Sequence, residues 1–134
     1  MKTSRVTTAA IVMALLPAAP ILAHHSAAGI DRTKSVTLNG TVKQFGWQNP
    51  HSWMEVDVPN EAGVVTTWKV EMTSPAFLIR AGWKSSTVKP GDKVKVVVRP
   101  LVSGDPGGLF VSVTLPTGST LTERAAPAPA PINP

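Results

Sequence analysis

Between Ser35 and Leu115 the chain is written in period two, and that alternation limits it to half-buried β-strands. The first run, SVTLNGTVKQF at about 35–46, puts Val36, Leu38, Gly40 and Val42 on one face. A second, from about His51 to Val58, sets Met54, Val56 and Val58 against Trp53, Glu55 and Asp57. The third, VVTTWKVEMT, aligns Val64, Thr66, Trp68, Val70 and Met72. KVKVVVRP aligns Val94, Val96 and Val98, and LFVSVTL aligns Leu109, Val111, Val113 and Leu115. Between the runs stand NP, PNEAG, KPGD and SGDPGG, whose prolines and glycines favour turns and interrupt strand pairing.

One helical signal interrupts this pattern. Ser74 suits an N-cap, Pro75 the first helical position, AFLIRA a helix of about two turns, and Gly82 its end. Three strands, a short helix and two strands in about eighty residues is the order of an all-β, five-stranded OB-like Greek-key barrel, with the helix between strands three and four. A β-sandwich wants about seven strands and is the second choice. After Gly118 the alternation stops and the chain runs into APAPAPINP, which reads as a disordered Ala/Pro-rich tail over 119–134.

The first 23 residues stand apart from the barrel. Lys2 and Arg5 precede the apolar stretch VTTAAIVMALLPAAP, and ILA supplies a small residue at Ala23, so 1–23 reads as a signal peptide cut before His24. The stretch is short and proline-broken beside the roughly 20 apolar residues a membrane span needs, so no stable anchor is expected after cleavage. The leader takes Lys2 and Arg5 and no acid, so the formal net charge of +5 falls to +3 over 24–134. The remaining basic residues are scattered, which argues against nucleic acid as a partner. An exported chain with no cysteine has no disulfide framework, and a periplasmic location fits it.

The inventory for catalysis is thin. There is no cysteine, no tyrosine, no glycine-rich phosphate loop and no motif for a nucleophile with its base. Glu55 and Asp57 share one strand face, but alternating acids of this kind are the ordinary wet side of a sheet. No enzymatic activity is expected, with a copper-dependent oxidase as the distant alternative.

Three histidines carry the sharper signal. A mature N-terminal His24 would offer two nitrogen donors, its α-amine and its ring, and copper favours amine and imidazole nitrogen above the other divalent first-row metals. A third nitrogen, from His51 or His25, would complete a histidine brace, and His51 is the better partner because adjacent rings do not easily share a plane with that amine. The alternative is a set of solvated histidines in a frayed arm. Trp47 and Trp53 bracket the turn that holds His51, and they read either as a ligand face on the barrel or as an edge of its core.

The motifs HHS, TLNGTVKQFGWQNPH, VEMTSP, RAGW, KPGDKV and SVTLPTG, in that order over about 24–118, resemble domain-of-unknown-function family 6152, small exported bacterial proteins. The resemblance implies a periplasmic single-domain β-barrel without an established activity. It maps its two histidine motifs onto His24, His25 and Ser26 and onto Asn49, Pro50 and His51. The expectation is a periplasmic metal-binding protein, with copper on His24, His51 and His25. The alternative is a metal-independent module that binds a small ligand or partner through Trp47 and Trp53.

Overall fold

The computed structural model describes residues 29–124. Six strands and one helix follow in order: β1 (Val36–Gly46), β2 (Trp53–Pro59), β3 (Val65–Glu71), α1 (Pro75–Arg80), β4 (Lys93–Pro100), β5 (Gly107–Thr114) and β6 (Thr120–Thr122). β1 pairs antiparallel with both β2 and β4, β2 with β3, and β4 with β5. A parallel pairing of β3 with β5 closes the ring. The result is the expected five-stranded OB-like barrel with its helix between the third and fourth strands.

The inward faces of β1, β2 and β4 follow the alternation: Leu38, Val42, Met54, Val56, Val94, Val96 and Val98 are all buried. Gly40 sits among them because a Cβ there would meet the Asp57 carbonyl oxygen at 2.5 Å. Closure at β5 needs Gly108 for the same reason, since a Cβ would run into the backbone of Arg99.

Two bulges break the simple period. Val42 pairs with Val56 and Gln44 with Glu55, so Lys43 is an extra residue, and Phe45 then packs on the core that Val42 faces. In β5, Phe110 pairs with Val98 and Ser112 with Val97, leaving Val111 as the extra residue. The expected phase of this strand is therefore corrected: Phe110 and Val113 are buried, whereas Leu109 and Val111 are only half-buried. In the third run Val70 and Met72 are buried as expected, but Val64 and Thr66 are exposed, because the hairpin end extends past β1, whose pairing with β2 stops at Asp57.

The helix begins with Pro75 in its first turn and ends in a Schellman arrangement. Trp83 N–H donates to the Leu78 carbonyl, Gly82 N–H donates to the Ile79 carbonyl, and Gly82 has φ +88°. Leu78 and Trp83, the two residues this motif brings together, are both fully buried. Ser74 takes the N-cap position without a side-chain hydrogen bond.

β6 lies beyond Gly118, inside the stretch read from sequence as tail. It pairs Leu121 with Val113 and Thr122 with Ser112, so regular structure extends past 118. The Trp83 indole N–H donates to the Thr122 carbonyl at 2.8 Å and ties β6 to the end of the helix. The Ala/Pro-rich residues from 125 lie outside the described residues.

Candidate functional site

The turn between β1 and β2 carries His51, and the backbone around it is fixed on both sides. Ser52 N–H donates to the Thr73 carbonyl and Met72 N–H donates to the Ser52 carbonyl, so the residues before β2 continue the β2–β3 ladder past its last regular pair. Ser52 is fully buried, and its hydroxyl has no hydrogen-bond partner among the described residues. His51, one residue earlier, points the opposite way and is 53% exposed.

On that outer face His51 meets Glu71, its diagonal neighbour across the ladder. His51 Nδ1 lies 2.5 Å from Glu71 Oε1. A carboxylate only accepts, so Nδ1 carries the proton of this bond, and in the neutral ring Nε2 is left with the lone pair. This is the arrangement by which a carboxylate orients a metal-ligating imidazole.

A cavity of about 200 Å³ opens beside this pair, walled by Ile30, Arg32, His51, Glu71, Thr73 and Glu123 among others. Glu123, just after β6, accepts a hydrogen bond from Thr73 N–H at 2.6 Å. Burial pushes its carboxyl above the ordinary glutamate range, opposed by that bond and by His51. Ile30 reaches the cavity because it bridges to Leu101, with Asp31 N–H donating to the Pro100 carbonyl and Val102 N–H to the Gly29 carbonyl. Among the described residues no three histidine or acidic side chains converge closely enough to hold a metal ion by themselves. His24 and His25 lie outside the described residues.

A larger cavity of about 670 Å³ adjoins it and shares Ile30 and Glu71 as walls. The rest of its lining includes Trp53, Thr67, Lys69 and Leu101. Trp53 lies over Gly46, its pairing partner on β1, where any Cβ would collide with the indole. The two tryptophans bracketing the His51 turn therefore part company. Trp53 walls the larger cavity, whereas Trp47 packs edge-on against Phe45 at 5.8 Å, at the margin of the core, and walls neither.

Glu71 and Glu123 were not singled out from sequence. Glu71 was findable, because a β2–β3 hairpin puts it on the same outward face as His51. Glu123 gives no such signal, since it follows a three-residue strand in polar sequence.

The fold and site together define a small OB-type barrel that carries a carboxylate-oriented histidine on its rim. The chain belongs to DUF6152, a family of unknown function, whose model matches residues 12–111. No curated protein and no solved structure matches it.

Proposed function

We propose that the chain is a periplasmic copper-binding protein in which export and cleavage before His24 create the chelating amine. His24 would supply amine and ring nitrogens, His51 its Nε2, and His25 a further or alternative imidazole. The observation that carries this reading is the His51–Glu71 pair on a cavity walled by Ile30, a residue six positions after His24. Six residues span up to about 20 Å when extended, so the arm has ample length to fold back onto that cavity. The role would be to hold copper in the envelope or pass it on, without catalysis.

Isothermal titration of the processed protein with Cu(II) tests this directly. Binding tighter than micromolar is expected, lost in His24→Ala and His51→Ala, and weakened about 10–100-fold in Glu71→Gln, where the ring loses its orienting carboxylate. Binding no tighter than micromolar, or unchanged affinity in His24→Ala, would end the proposal.

A second reading rests on Trp53 as a wall of the larger cavity. A small organic ligand there, or a partner residue, would change tryptophan emission in the absence of copper, and Trp53→Phe would remove that response.

A further inference from the structure

The β2–β3 hairpin runs past the barrel as a two-stranded ribbon, and its two edges are unequal. β1 leaves β2 after Asp57, so the tip of β2 has an edge of its own, and there Pro59 withholds a backbone donor. β3 has no such block. Its pairing with β5 begins only at Lys69, and among the described residues no strand pairs with β3 on that side before it. The stretch Ala62–Trp68 contains no charge and no proline. Val64 and Val65 are 61% and 56% exposed.

The direction of the free groups follows from the ladder. Asn60 N–H donates to the Val64 carbonyl and Met72 N–H to the Ser52 carbonyl, so even-numbered residues of this strand face β2. Lys69 N–H instead donates to the Pro106 carbonyl, so odd-numbered residues face the other side. Val65 and Thr67 therefore offer two N–H and two C=O groups to the open edge.

We propose that this edge pairs with the same edge of a second copy, antiparallel, with Thr66 on the two-fold axis. That register sets Val65 against Thr67 of the second copy and Thr67 against Val65, and each pair exchanges two hydrogen bonds. All four free groups are then satisfied, which a shift by one residue does not achieve. On one face Val64 covers Trp68 of the second copy, an indole only partly buried in the single chain. On the other, Val65 of the second copy sits beside Thr67, so it adds to the rim of the larger cavity. The charges that flank the uncharged window also favour this pairing. In this register Glu61 of each copy lies diagonal to Lys69 of its mate, while the directly opposite Glu71 already has its carboxylate engaged by His51.

The test uses the exported protein with a chelator present, so that copper plays no part. Sedimentation equilibrium is expected to show a reversible dimer between micromolar and millimolar protein. Val65→Pro removes an outward N–H and no bond within the chain, and is expected to be monomeric with unchanged circular dichroism. Should Val65→Pro fail to fold, Val65→Lys at the same exposed position gives the same expected result.

Register is read by cysteine. The chain has none, and residues at the two-fold form a non-hydrogen-bonded pair with Cα atoms about 4.5 Å apart, within disulfide range. Thr66→Cys is expected to form a disulfide-linked dimer on mild oxidation, and Val102→Cys, exposed elsewhere, is not. A wild-type chain that stays monomeric, including one whose edge takes up an added foreign strand instead, overturns the proposal. So does a dimer that survives both Val65 variants, or Thr66→Cys that links no faster than Val102→Cys.

Discussion

Replacing Trp83 by phenylalanine tests how β6 is held to the barrel. Trp83 is fully buried, packs edge-on against Phe110 at 5.5 Å, and donates its indole N–H to the Thr122 carbonyl at 2.8 Å. Exchanging indole for phenyl leaves a small void in a packed core, costing about 1–2 kcal/mol, part of the larger cost of full truncation. The lost hydrogen bond adds about 1 kcal/mol and not more, because Thr122 is exposed and its carbonyl can turn to water. The sum, about 2–3 kcal/mol, lowers the melting temperature of a domain of this size by about 10–20 °C. Chemical denaturation followed by circular dichroism measures it. The hydrogen-bond share is isolated by repeating Trp83→Phe in a chain ending at Gly118, which lacks β6. There the substitution is expected to cost about 1 kcal/mol less than in the full chain. Equal costs in the two backgrounds would refute the claim that the indole anchors β6.

Two further outcomes follow from the core and the cavity. Glu123 has its folded-state pKa raised, chiefly by burial, so the native chain holds its proton to higher pH than the unfolded chain does. Its contribution is therefore undiminished below the ordinary glutamate pKa and declines as pH rises through the raised value. Glu123→Gln, which still accepts from Thr73 N–H, is expected to flatten that slope and be the more stable form at neutral pH. A thermal-melt series across acid and neutral pH checks this, and a variant less stable than wild type at neutral pH would contradict it. Gly108→Ala drives a Cβ into the Arg99 backbone where β5 meets both β3 and β4, and is expected to cost about 1–3 kcal/mol in urea unfolding. A cost below about 0.5 kcal/mol, the level of a neutral surface change, would mean that closure there is loose.

The barrel was legible because five alternating runs, one capped helix and the turns between them all point to the same architecture. What escaped was local, and each miss has its own physical origin. A bulge adds a residue without leaving a mark on composition, so in β5 the phase passed from Val113 to Phe110 across Val111, where simple alternation chose Val111 and Leu109. The exposed start of β3 escaped because a periodic strand shows which residues share a face, not whether anything covers that face. β6 escaped because three residues are too short to display a period. At the site, His51 was legible as a rare residue in a turn. Its partner Glu71 was hidden as one more polar position of an alternating strand, and only the hairpin register joins the two.

OB barrels serve many unrelated ends, so the fold does not choose between the two functional readings. Geometry links the two readings, because Glu71 and Ile30 wall both cavities. On these readings, a molecule seated against Trp53 and a metal on His51 would have Glu71 and Ile30 as common neighbours, and binding of one would be expected to alter binding of the other. Any such coupling must be reciprocal in binding free energy. Glu71→Gln therefore separates the readings better than removal of either aromatic or histidine alone. Under the copper reading it weakens the metal by loosening the His51 ring while leaving the Trp53 wall in place. Under the ligand reading the fluorescence response to an organic molecule survives, because the apolar wall of Trp53, Ile30 and Leu101 is untouched.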